Sequence, residues 1–131
     1  MTPKPLLGHI SFGVRSIESS KTFYSATLAP LSLHLVFESK DVLGYGLNGD
    51  EEILNIFLLT EESHTPSNGF HLAFNAPTRD AVDAFHAAAV TNGGSSNGEA
   101  GLREHYGKNY YAAFVIDPDG WKLEAVCKNP E

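Results

Sequence analysis

Two histidines and one glutamate, His9, His71 and Glu124, are the residues of this chain whose types and placement suggest chemistry. Two imidazoles and a carboxylate suit Zn, Fe, Mn, Co or Ni, and three protein ligands leave positions open for water or substrate. Such a centre would act as a Lewis acid on a small oxygen-rich molecule and stabilise a developing anion. Each residue also has a plain reading. A strand histidine is commonly a hydrogen-bonded core residue, and Glu124 could pair with Lys122 or with an arginine across a sheet. A second group is Arg103, His105, Tyr106, Tyr110 and Tyr111. Arg103 suits a substrate carboxylate or phosphate, Tyr106 suits the same substrate mouth, and His105 or Tyr110 could relay a proton. The plain alternative is a capping loop whose aromatics pack together. Tyr110 and Tyr111 are adjacent, so at most one faces a cavity. Asn55 and Phe57 share one strand face, where Phe57 would line an apolar pocket and Asn55 would meet substrate.

The elements that must position these groups follow from apolar periodicity. Strands are predicted over His9–Val14, Leu33–Glu38, Val42–Leu47, Ile53–Leu59, Phe70–Asn75, Tyr110–Ile116 and Lys122–Val126, with a weaker one near Gly94–Asn97. One helix is predicted over Ile17–Leu28 with Ser16 as N-cap, and another over Arg79–Thr91 with Thr78 as N-cap. Gly93-Gly94 end the second helix, and Pro118-Asp119-Gly120 form a turn between two strands. Ser95–Lys108 reads as a long polar loop, and loops of that length are often functional. His34, His64 and His86 read as plain surface or loop residues, and Trp121 as a packing residue.

The order of elements repeats. Aligning Gly8–Val14 with Phe70–Ala76 without gaps matches His9 with His71, Phe12 with Phe74 and Phe23 with Phe85. Each half reads His-x2-Phe-x10-Phe, which points to duplication. Along each first strand the faces alternate. Phe12 and Phe74 face the helices, whereas His9 and His71 face away beside small residues. Glu124 falls on the equivalent face of the last strand, where a carboxylate needs a partner or a cation.

Composition bounds the rest. The 131 residues fit one α+β domain, and 42% hydrophobic content supports a core. No run is long enough to span a membrane, and the start of the chain is too short and polar to be a secretory signal. The net charge of −7 and nine scattered Lys and Arg argue against nucleic acid as a partner. The single cysteine, Cys127, excludes an internal disulfide, and a cytoplasmic location is expected.

The chain resembles the vicinal oxygen chelate superfamily, which includes glyoxalase I, thiol transferases, extradiol dioxygenases and bleomycin-binding proteins. The resemblance is carried by Gly8–Phe12, Phe70–Phe74 and, most specifically, Asp117-Pro118-Asp119-Gly120 followed by Glu124. Asn97–Tyr106 and Tyr110–Phe114 look like a glyoxalase-like branch. The resemblance implies two βαβββ modules, over about 6–62 and 68–128, curled around one divalent metal held by His9, His71 and Glu124. It implies a homodimer acting on a small molecule as a glyoxalase-like lyase or isomerase, with glutathione open as a co-substrate. A dioxygenase, a thiol transferase and a metal-free sequestering protein are the alternatives. Glyoxalase I uses a further glutamate on the last strand of its first module. Asn55 stands at that position here, and an amide is no general base at neutral pH.

Overall fold

A computed structural model describes residues 7–47, 49, 51–60 and 69–131. His64 and the predicted junction of the modules lie outside the described residues. The first module runs β1 (Ile10–Val14), α1 (Ile17–Leu28), a 3-10 turn (Ala29–Leu31), β2 (His34–Glu38), β3 (Val42–Gly46) and β4 (Leu54–Leu58). The second runs β5 (Leu72–Asn75), α2 (Arg79–Thr91), β6 (Ser95–Leu102), β7 (Tyr111–Ile116) and β8 (Lys122–Cys127). The sheets have equivalent orders, β1-β4-β3-β2 and β5-β8-β7-β6. In each, the first strand pairs in parallel with the last and the other pairings are antiparallel. The expected α+β fold of two βαβββ modules is therefore present.

Both helices begin where their caps dictate. The Ser16 hydroxyl accepts from Ser19 N and the Thr78 hydroxyl from Ala81 N, satisfying otherwise orphan donors. Each helix then buries one stripe: Phe23, Tyr24 and Leu28 from α1, and Ala81, Val82, Phe85 and Ala89 from α2. These meet Phe12, Val14, Leu54 and Ile56 in one module and Val115, Leu123 and Ala125 in the other. Each large aliphatic or aromatic side chain so buried contributes roughly 1.5–3 kcal/mol. No helix among the described residues is long and apolar enough to cross a membrane.

One sequence expectation is corrected. Ser95–Lys108 is not a single loop: β6 extends to Leu102, paired to β7 with register shifts around Gly98. The true loop is 103–110, closed by Arg103 N donating to Tyr110 O at 2.7 Å. His86 is also less plain than expected, since its Nε2 lies 2.8 Å from Ser96 Oγ.

The modules are joined by α1 packing on α2 and by a seam built from the Asp117–Trp121 turn. Gly94 marks the closeness of the two halves, because a Cβ there would lie 2.5 Å from the Phe23 ring. Gly120 supplies the positive φ of 98° that the turn requires. Asp117 Oδ1 accepts from Asp119 N and Trp121 N, both at 2.8 Å, and its Oδ2 accepts from Tyr24 OH at 2.5 Å. Arg15 reaches the same turn, donating from Nε to Asp119 and from Nη2 to Pro118 O. Trp121 packs on Phe12 and Phe70 and donates from Nε1 to Gly13 O at 2.7 Å.

Burial pushes the Asp117 carboxyl above its ordinary 3.8, although the hydrogen bonds from Tyr24, Trp121 and Asp119 oppose this. The folded state therefore holds this proton more tightly than the unfolded chain does. The stabilising contribution is complete below the unfolded value and is lost as pH rises through the folded one. Asp117→Asn can still accept from both backbone N–H groups and donate to Tyr24, so its stability relative to wild type should improve as pH rises through that window. Tyr24→Phe instead leaves a buried carboxylate oxygen unpaired and should cost about 1–3 kcal/mol. Urea titrations of both variants from acid to neutral pH check both expectations. Equal pH dependence of wild type and Asp117→Asn would contradict the first.

Candidate active site

The open faces of the two sheets, those turned away from the helices, carry the groups singled out by the sequence. On the second sheet, Ala73 and Phe114 flank Glu124 in register, so Glu124 sits centrally on the open face. Glu124 is nonetheless only 4% exposed. His71, one residue before β5, places Nε2 at 2.6 Å from Glu124 Oε1. Tyr110, just before β7, donates its hydroxyl to Glu124 Oε2 in a short hydrogen bond. The carboxylate is thus held at both oxygens.

Burial first, then the hydrogen bond to Glu124 and its charge, push the Tyr110 phenol up to about 12. At neutral pH it remains a protonated donor that orients Glu124. Alternation settles which tyrosine faces inward: Tyr111 turns to the helix layer, where its hydroxyl donates to Asp83 Oδ1 at 2.6 Å.

The loop group surrounds this pair. Arg103 stacks over the Phe114 ring at 5.3 Å and donates from Nη2 to Glu99 O at 2.6 Å, and Phe114 in turn lies 5.8 Å from the His71 ring. His105, Tyr106 and Tyr110 form a run of ring contacts at 4.1 and 5.3 Å. Arg103, His105, Tyr106 and Phe114 line an open depression of about 310 Å³. A second, of about 360 Å³, adjoins it across Tyr106 and is lined by Lys108, Tyr110 and Lys128.

On the first sheet, Ser11, Asn55 and Gly44 align across three strands, with Phe37 paired to Gly44. Ser11 pairs with Asn55 as Ala73 pairs with Glu124, and each histidine lies two residues before the small partner. Asn55 is therefore the first module's counterpart of Glu124. Phe57, paired with Gly13 and Val42 on the same face, is 41% exposed.

His9 is exposed at the start of the first sheet, and it does not join His71 and Glu124. Among the described residues no three His, Cys, Asp or Glu side chains come within reach of one cation. Of the three expected ligands, the described residues of a single chain bring together His71 and Glu124. Each module's first strand pairs within its own sheet, which carries the two histidines on separate sheets. The chemistry of the His71–Glu124 pair still fits a divalent ion. In the tautomer with the proton on Nδ1, both atoms present lone pairs to the same volume. Donors sharing an ion at about 2.1 Å stand slightly further apart than this pair, so a small separation would admit it.

The sequence reading missed three features: Lys128, whose Nζ lies 5.8 Å from the Tyr110 ring centre; the Tyr110–Glu124 hydrogen bond; and the Tyr24–Asp117 link. Strand alternation from Glu124 through Val126 would have put Lys128 on the open face.

The family model for the Glyoxalase/Bleomycin resistance protein/Dioxygenase superfamily matches residues 6–125. A glyoxalase/bleomycin resistance protein from Albidiferax ferrireducens T118 shares 33% identity, with a TM-score of 0.82 over 94% of this chain and 99% of that one. A glyoxalase-related enzyme from Fulvimarina pelagi, at 24% identity, has a TM-score of 0.70 over 92% of this chain and 86% of the other. A glyoxalase I mutant from Zea mays, at 20% identity, has a TM-score of 0.71 over 92% of this chain but 45% of its own. The last two establish likeness of fold. No curated protein matches the chain. With nearly its whole length matched by the family model, the chain belongs to the Glyoxalase/Bleomycin resistance protein/Dioxygenase superfamily.

Proposed function

We propose that the protein is a metal-dependent, glyoxalase-like lyase or isomerase acting on a small oxygen-rich substrate, with each site shared between two copies of the chain. His71 and Glu124 of one copy and His9 of the other hold the ion, which is one of Zn, Fe, Mn, Co or Ni. The observation that carries this reading is Glu124, a carboxylate 4% exposed at the centre of an open sheet face. Its only partners among the described residues are an imidazole and a phenol. A buried carboxylate is costly without a compensating cation.

When bound, the ion supplies Lewis-acid stabilisation to adjacent substrate oxygens. Tyr110 fixes Oε2 of Glu124, and Glu124 with His71 would hold the ion. Arg103, braced on Phe114 and Glu99 O, meets an anionic substrate group. His105 and Tyr106 border the same mouth, where His105 exchanges a proton with the substrate. Asn55 and Phe57, from the copy that contributes His9, form the facing wall, and Phe57 excludes water there.

Sharing is tested by complementation. His9→Ala and Glu124→Gln chains should each fail to hold the ion alone. Mixed randomly, half of the dimers are heterodimers with one complete site out of two. Metal content should then return to about a quarter of the wild-type level. No recovery in a mixture shown to contain heterodimers, or a protein that stays monomeric, overturns the shared site. Activity of the recovered, metal-loaded protein is screened against methylglyoxal–glutathione adduct, catechols and epoxides.

A further inference from the structure

The basic side chains of this acidic chain are distributed unevenly. There are 16 Asp and Glu against nine Lys and Arg. Three basic groups at or on the helices are neutralised by carboxylates: Arg15 by Asp119, Lys21 by Glu38 and Arg79 by Glu131. Around the open face of the second sheet the pattern reverses, and elsewhere only Lys40, between β2 and β3, also lacks a carboxylate partner among the described residues. Arg103, Lys108, Lys122 and Lys128 have no carboxylate within ion-pair distance among the described residues. An acidic protein has ample means to neutralise four cations, so leaving them unpaired beside one face makes that face attractive to anions.

Lys108 and Lys128 have the most specific setting. Both line the depression of about 360 Å³ whose wall is Tyr110. The Lys128 ammonium sits 5.8 Å from the Tyr110 ring centre, and the Tyr110 hydroxyl is bonded to Glu124. The backbone adds donors. The turn closed by Tyr110 N donating to Gly107 O has Lys108 and Asn109 at its centre, and neither of their N–H groups has an acceptor among the described residues. Two lysines and the two residues with free amide donors thus line one open volume, a tyrosine ring away from the buried carboxylate. Consecutive free N–H groups in a turn are a recurrent way of holding oxyanions.

We propose that Lys108 and Lys128, with the N–H groups of Lys108 and Asn109, form an anion subsite that receives a carboxylate or phosphate carried by the substrate. The subsite deepens the reading of this face as the substrate face and rests on it. It sets a substrate class: a molecule whose reacting oxygens and an anionic group lie about a tyrosine ring's length apart. Tyr106 separates this subsite from the one at Arg103, so a substrate bearing a single anionic group must choose between them.

The test uses the full-length protein without added metal. Backbone amide NMR shifts are followed during titration with inorganic phosphate and, separately, with succinate, at constant ionic strength against a chloride control. Saturable shifts centred on Lys108, Asn109, Tyr110 and Lys128 are expected. Phosphate alone, succinate alone, or both acting each support the subsite and identify its preferred oxyanion. The Lys108→Gln/Lys128→Gln protein should bind roughly tenfold more weakly, as expected for two exposed charges, while Lys21→Gln binds as wild type. Shifts no larger than those with chloride, or undiminished in the double variant, overturn the proposal. Glu124→Gln should retain anion binding while losing the ion, so failure of the subsite and failure of the metal reading are separable.

Discussion

Glu124→Gln is expected to lower divalent-ion affinity by at least about a hundredfold while leaving the fold intact. Groups that merely orient a ligand cost ten- to a hundredfold when removed, and the ligand itself should exceed that. Glutamine matches glutamate in shape, can accept the Tyr110 hydroxyl at one amide position and can bond His71 at the other, so the local packing has no reason to collapse. What disappears is the negative charge. Wild type and variant would be compared by elemental analysis after loading with Zn, Mn and Ni, by calorimetric titration and by thermal melting. Full metal content in the variant would remove Glu124 from the ligand set. No metal uptake by wild type under any loading condition, with small-molecule binding preserved, would favour a sequestering protein.

The second large effect is expected at Trp121. Its indole lies 4.8 Å from the Phe12 ring and 4.6 Å from the Phe70 ring, and it donates to Gly13 O. Trp121→Ala removes the ring stack between the two modules and strips an acceptor of its donor. A loss of about 3 kcal/mol is expected, the lower part of the range for large aromatic truncations because the indole is partly exposed. Chemical denaturation followed by circular dichroism measures it. Trp121→Phe keeps the packing and loses only the hydrogen bond, so it should recover more than half of the deficit. A Trp121→Ala protein as stable as wild type would mean that the helix packing and the Tyr24 and Arg15 links to the turn hold the modules together without the indole.

Much of the fold was legible because its signals are local. Ser16 and Thr78 announced both helices, and the apolar stripes of Phe23–Leu28 and Val82–Ala89 set their extents. The matched His-x2-Phe-x10-Phe segments anticipated the shared strand order. Strand β6 was largely hidden because Ser-Ser-Asn-Gly-Glu-Ala-Gly-Leu has no alternating apolar pattern; it is held by backbone pairing with β7 at the sheet edge, which leaves no side-chain signature. Of the site, alternation placed His71 and Glu124 on one face, and adjacency allowed one tyrosine beside them. Alternation cannot report separation between sheets, so it left open whether His9 reaches the same point. The Tyr24–Asp117 bond spans 93 positions between polar groups that follow no period, and sequence pattern is blind to such pairs.

Glu124 follows Trp121 by three residues, on the strand that leaves the turn joining the two halves. The carboxylate proposed to hold the ion is therefore mechanically coupled to the seam between the modules. Mild heat or denaturant that merely slackens this joint would tilt the start of β8 and weaken the proposed ion binding while most secondary structure survives. Loss of the proposed ion binding should run ahead of melting.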